Sequence, residues 1–120
     1  MSFDEINLAQ QLVQIPGLSG AEGEVADRVE DAMNALGFRD VFRDELGNVV
    51  GFVGPQAEKT ALLFDAHMDV VPAAGEWRMD PFGGEIIDGR LYGRGSTDMK
   101  GALAAVICGA AAAAKSGRLS

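Results

Sequence analysis

Apolar positions recur along the chain with changing periods, and each period predicts an element. Ile6, Ala9 and Val13, joined by Leu8 and Leu12, return at helical spacing, with Ser2 and Glu5 at the separation of a capping box. That first helix is expected to stop before Pro16. Ser19 and Glu22 repeat the capping signature, and Val25, Val29, Met33 and Leu36 mark one face of a second helix. Gly37 is placed to close it, and Glu22, Glu24 and Asp27 suit its positive N-terminal end.

Alternation then replaces helical spacing. Asp40-Val41-Phe42-Arg43 and Val49-Val50-Gly51-Phe52-Val53, joined through Glu45-Leu46-Gly47-Asn48, predict a hairpin, and residues 54–59 a turn or loop. Residues 62–71, apolar apart from Asp65, His67 and Asp69, have the look of a strand buried on both faces in a parallel or mixed sheet. Past Pro72 the chain loosens through Gly75, Pro81, Gly83 and Gly84, with Trp77 and Phe82 embedded. Residues 86–92 predict a second hairpin, since Asp88-Gly89 is a preferred pair for a type I′ turn. A helix of small residues is expected over 99–115, its alanines suited to close approach to a sheet. Helix, helix, hairpin, strand, hairpin, helix is an α/β order without internal repeat. It reads as the front part of a larger enzyme rather than as a complete small three-layer domain.

Composition narrows the class. A chain of 120 residues, 48% hydrophobic and 23% charged, is an ordinary globular domain or part of one. Ten Lys+Arg against 18 Asp+Glu give a net charge of −8, a field that repels phosphate backbones, so no nucleic-acid partner is expected. Cys108 is the one cysteine, in an apolar helical setting, and reads as core filler. With no partner for a disulfide within the chain, a reducing compartment fits. The acidic start at Asp4 and Glu5 is not that of a signal peptide, and the run 102–114 falls short of the roughly 20 residues a bilayer needs. No membrane association and a cytoplasmic location are the expectations.

Candidate chemistry centres on His67, the sole histidine, at the far end of the apolar run. Alternate strand residues share a face, so Asp69 points the same way. An imidazole can bind a metal through one nitrogen while a carboxylate holds its tautomer through the other. A bare His-x-Asp is nonetheless better read as a capped surface histidine beside a solvated aspartate. A second stretch, Gly93-Arg94-Gly95-Ser96-Thr97-Asp98-Met99-Lys100-Gly101, is a glycine-rich junction of the kind that cradles phosphate. A dinucleotide fingerprint starting at Gly93 would need glycine where Asp98 stands, and a P-loop would need Ser or Thr where Gly101 follows Lys100. The nucleotide reading fails. Asp98 is then either a helix N-cap or a carboxylate that the glycines bring to His67. Oxygen and nitrogen ligands of this kind suit zinc, which can activate water at an open position.

Ala66-His67-Met68-Asp69-Val70-Val71-Pro72, Trp77 with Asp80-Pro81-Phe82, and residues 93–101 together resemble the M20 metallopeptidase family, which includes deacetylases, desuccinylases, carboxypeptidases and dipeptidases. The resemblance runs from Ile15-Pro16 and Ser19-Gly20 onward and corresponds to the first part of a family member several times longer. Asp65-Ala66-His67 and Asp44-Glu45-Leu46-Gly47-Asn48-Val49 lean toward a branch of selenium-metabolism-linked hydrolases. What the resemblance implies is the N-terminal part, residues 1–120, of a three-layer zinc-peptidase-like catalytic domain with a mixed, largely parallel central sheet. It implies that His67 binds one zinc ion, that Asp98 bridges two, and that Asp69, the catalytic residue, orients the imidazole. Cobalt or manganese are possible replacements for zinc. The implied reaction is hydrolysis of an amide bond in an N-acyl amino acid or short peptide by metal-activated water, with a possible homodimer of the full-length protein. The family's glutamate pair, general base and metal ligand, is expected beyond Ser120, as are its remaining ligands, so the chain by itself is expected to be inactive or incomplete. The peptide after Asp98 is expected to be cis.

Two ligands of one tetrahedral zinc would place the His67 and Asp98 donor atoms roughly 3.3–3.6 Å apart, with Asp69 on the ring's other nitrogen. Asp65 is expected either behind His67 or solvated, and Trp77 at a substrate mouth or in packing. Arg94 is expected at a substrate carboxylate or in a structural contact, and Lys100 in solvent or paired with an acid. The alternative from another class is a non-catalytic α/β fragment or interaction module that retains a partial metal site.

Overall fold

The computed structural model describes residues 4–60 and 62–119. Helix α1 spans Glu5–Val13 and turns Leu8, Ala9, Leu12 and Val13 inward, while Ile6 remains 56% exposed on the other side. Its N-cap is Asp4, whose carboxylate accepts the Ile6 N–H at 2.9 Å. The expected cap Ser2 lies outside the described residues. Helix α2 spans Gly23–Ala35 and buries Val25, Ala26, Val29 and Ala32. It has no side-chain cap: Ser19 is drawn to Asp69 instead, and Glu22 accepts the Gly20 N–H at 2.7 Å. Gly37 closes the helix as its position predicts, with φ 82° and the Phe38 N–H returning to the Met33 carbonyl at 3.0 Å.

Strands β1 (Arg39–Arg43) and β2 (Val49–Phe52) form the first hairpin, antiparallel, with Phe42 opposite Val50 and Arg43 opposite Val49. Asp44 holds its turn by accepting from Leu46 N, Asn48 N and Asn48 Nδ2 at 2.8–2.9 Å. Arg43 fastens the hairpin to α2 through Asp27 at 2.8 Å and Glu30 at 2.7 Å. Strands β3 (Ile86–Ile87) and β4 (Arg90–Leu91) form the second hairpin. Asp88 and Gly89 between them have φ of 51° and 75°, the pair of positive values a type I′ turn requires.

Helix α3 spans Gly101–Lys115 and packs against α1, not against a sheet as its small residues suggested. Leu103, Ala104, Ile107, Cys108 and Ala111 face inward and close one core with Leu8, Leu12, Val25 and Val29. At 15 residues α3 is about 22 Å long, short of a bilayer's apolar thickness. The apolar stretch Ser96–Lys115 is longer, but Asp98 and Met99 break it with non-helical dihedrals.

The main departure from expectation is at 62–71. Among the described residues of this run only Val70 pairs, in a parallel bridge with Leu18. Leu62, Leu63 and Phe64, expected to be buried on both faces, are 76%, 85% and 63% exposed. The helices pack on one another, and among the described residues no strand runs beside the apolar run to accept its backbone groups. Among the described residues the sheets are therefore two antiparallel hairpins, and the largely parallel central sheet is not formed. Strand-like alternation still survives at the far end of the run. Ala66 and Met68 pack against the core and Val70 is buried.

Candidate metal centre

His67 and Asp69 occupy the alternate positions to Ala66, Met68 and Val70, and so stand on the side away from the core. The turn before α2 holds them there. Val70 N–H donates to the Gly17 carbonyl at 3.1 Å, and Ser19 N–H donates to the Val70 carbonyl at 3.2 Å.

Asp98 arrives from the opposite direction, on an irregular turn, Ser96–Lys100, that precedes α3. Gly95, with φ 82°, lets this turn lie directly on the bridge: a Cβ there would collide with Cγ1 of Val70. Lys100 N–H closes the turn on the Gly95 carbonyl at 2.8 Å. Asp98 lies within it at φ −122° and ψ 90°, and its peptide bond to Met99 is cis. Its carboxylate does not cap the helix; it points at the histidine.

The resulting cluster has a clear order. Nε2 of His67 lies 2.9 Å from Oδ1 of Asp98, and Nδ1 lies 3.1 Å from Oδ1 of Asp69 and 3.2 Å from that residue's carbonyl. Ser19 Oγ donates to Asp69 Oδ2 at 2.5 Å. A carboxylate thus stands at each ring nitrogen, and a hydroxyl braces one of the carboxylates. The Asp98 hydrogen bond holds the imidazole above the ordinary histidine value of 6.5, with smaller support from Asp69 and some opposition from desolvation. The Ser19 hydroxyl holds the Asp69 carboxyl below its ordinary 3.8, His67 adding to the effect. A cavity of about 280 Å³ opens over His67, Asp69, Arg94, Thr97 and Asp98.

The donor set, one imidazole nitrogen facing one carboxylate oxygen with a second carboxylate behind the ring, fits part of a zinc site. Their 2.9 Å separation is shorter than two ligands of one tetrahedral ion would show, because the pair is drawn into a direct hydrogen bond. Asp98 is 86% exposed at its side chain, so little packing opposes a small opening. His67, Asp69 and Asp98 cluster, but Asp69 stands behind the ring, and among the described residues no three His, Cys, Asp or Glu side chains are arranged to hold one metal ion. The set is a partial one.

Other residues singled out in the sequence fall elsewhere. Asp65 is exposed and joins none of the hydrogen bonds around His67. Trp77 donates to the Ala74 carbonyl at 3.3 Å, and the Arg94 guanidinium lies over its ring at 5.1 Å. Lys100, expected in solvent or beside an acid, is instead fully buried, its ammonium among three backbone carbonyls. A signal for that burial was present, since Lys100 leads Leu103, Ala104, Ile107 and Ala111 at helical spacing on the inward face. Ser19 has the spacing of a helix cap, and nothing local distinguishes that role from its bond to a residue fifty positions away.

Residues 63–120 match the family model described as Peptidase family M20/M25/M40. The succinyl-diaminopimelate desuccinylase of Rhodospirillum centenum is 41% identical over 116 residues, covering 89% of this chain and 30% of that protein. Proteins of the same name from Cereibacter sphaeroides and Methylobacterium radiotolerans are 39% and 38% identical over 114 and 110 residues, covering 92% and 85% of this chain and 30% and 28% of their own lengths. The chain belongs to the M20 peptidase family. It is homologous to the N-terminal region of these desuccinylases and spans about 30% of the length of the curated relatives it matches. Membership implies a portion of the zinc-peptidase fold. The lean of residues 44–49 and 65–67 toward selenium-linked hydrolases finds no counterpart among the relatives named here.

Proposed function

We propose that this chain supplies one side of the metal centre of a zinc-dependent amidohydrolase that cleaves an acyl group from an N-acylated amino acid. His67, through Nε2, and Asp98, through its carboxylate, are read as the residues that would hold the metal. Asp69 is read as the residue that holds the imidazole. The carrying observation is the histidine ring with a carboxylate at each nitrogen, Asp98 at 2.9 Å and Asp69 at 3.1 Å. Support for the substrate class comes from the relatives, which are named for removing a succinyl group from diaminopimelate.

Zinc bound here would supply Lewis acidity and an acidified water. The chain's own residues do the positioning. Asp69, kept ionised by Ser19, accepts the Nδ1 proton and so leaves the Nε2 lone pair directed at the cavity. Asp98, on its turn, presents a carboxylate from the opposite wall. Among the described residues no three such side chains are arranged to hold a metal ion, so the reading assigns hydrolysis to this segment together with ligands from elsewhere in a longer protein. In that protein, release of succinate from N-succinyl-diaminopimelate, lost in His67→Ala and Asp98→Ala, is the expected result. Full activity in either variant would refute the assignment.

The exposed Leu62, Leu63 and Phe64 favour a second reading, an interaction module that retains only part of a metal site. A folded chain that binds neither Zn²⁺ nor Co²⁺ at His67 would favour it.

A further inference from the structure

The two walls of the site are fastened to the same short turn, residues 15–19, between α1 and α2. On one side Lys100, fully buried, donates from Nζ to the carbonyls of Leu12 at 2.8 Å, Ile15 at 2.5 Å and Pro16 at 3.2 Å. An ammonium has three protons, and three acceptors converge on it. Asp98 stands two residues before Lys100, inside the turn that Lys100 N–H closes on Gly95. On the other side Gly17 and Ser19 hold Val70 through its N–H and carbonyl, and Ser19 Oγ holds Asp69. The turn is itself seated on the core, for Gly17, at φ 60°, leaves no room for a Cβ against Val25.

We propose that the 15–19 turn sets the spacing between His67 and Asp98, with Lys100 and Ser19 as positioning residues that tie the two walls to it. Neither touches His67 itself. Lys100 acts through the backbone that carries Asp98, and Ser19 acts through Asp69. Lysine suits the first role better than arginine, because a compact ammonium can aim three protons at converging carbonyls where a planar fork cannot. The meaning of the spacing as a metal gauge rests on the function proposed above; the positioning itself does not.

The test uses the whole chain, labelled with ¹⁵N, and reads amide dispersion, the His67 ring nitrogen shifts, and Co²⁺ affinity. Lys100→Met is expected to keep a dispersed spectrum, to shift His67 Nε2 to the value seen in Asp98→Asn, and to weaken Co²⁺ binding about 10–100-fold. Ser19→Ala is expected to perturb Nδ1 and to weaken Co²⁺ binding about tenfold, with Ser19→Thr restoring both. A loss of thermal stability alone would not count, since any buried substitution produces it. A folded Lys100→Met chain with wild-type ring shifts overturns the proposal. If Lys100→Met does not fold, Ser19→Ala decides: unchanged ring shifts overturn it, a displaced Nδ1 supports it. If the wild-type chain binds no Co²⁺ but its ring shifts still respond to these variants, the metal reading fails and the positioning stands.

Discussion

His67 Nε2 lies 2.9 Å from Asp98 Oδ1, a contact between residues 31 positions apart that stands on the side of the chain away from the core. A direct hydrogen bond to a carboxylate favours the protonated ring, and this bond is the largest cause of the raised His67 titration. The proton is bound more tightly in the folded state than in the unfolded one. The pair therefore contributes stability fully below pH 6.5, the ordinary value, and loses it as pH rises through the folded value. Ring proton shifts followed against pH should give a midpoint above 6.5, and Asp98→Asn should lower it. A midpoint at or below 6.5 in the wild type would contradict the geometry.

A metal competes for the same nitrogen. Binding needs the neutral imidazole, so Zn²⁺ or Co²⁺ affinity should rise with pH through the His67 titration and then level off. His67→Ala should abolish it, and Asp69→Asn should weaken it about 10–100-fold by loosening the ring. Calorimetric titrations at several pH values would show this, and a pH-independent affinity would point to a site elsewhere.

Asp69 carries the opposite sign. Its folded value is lowered, first by the Ser19 hydroxyl, so its contribution is present above pH 3.8 and is lost as pH falls through the folded value. Ser19→Ala should raise the Asp69 carboxyl toward 3.8, read from its ¹³C shift. No movement would mean that the 2.5 Å contact is not maintained in solution.

Stability should divide sharply between the helices and the apolar run. Leu12, fully buried in the core, should cost about 2–5 kcal/mol on replacement by alanine. Leu63, 85% exposed, should change stability by no more than about 0.5 kcal/mol when replaced by serine. Urea unfolding would separate the two, and a large loss for Leu63→Ser would show that the run is covered.

The 120-residue chain by itself should not hydrolyse acyl-amino acids at an enzymatic rate. General-base assistance alone is worth about 10²–10⁴-fold, and among the described residues no set of three His, Cys, Asp or Glu side chains is arranged to hold the metal such a base would serve. Zinc-dependent turnover by the chain, removed by His67→Ala, would reveal a site built differently.

The helices and hairpins are readable from local pattern. The inward faces of α1 and α2, the stop at Gly37 and the Asp88-Gly89 turn depend on interactions that close within a few residues. The motif spacing also singles out His67, Asp69 and Asp98, which the structure brings together. What no local pattern carried was partnership at a distance. Ser19 has the spacing of a cap and yet serves Asp69, because the Leu18–Val70 bridge sets that carboxylate beside its hydroxyl. Lys100 has the charge of a surface residue and yet is buried, because packing of α3 on α1 places three carbonyls at its ammonium. The run at 62–64 has the composition of a buried strand and yet is exposed, because burial depends on neighbours, and among the described residues no strand lies beside it. Periodicity dictates which face of an element is apolar; only the assembled chain dictates what that face, or a lone charge within it, will meet.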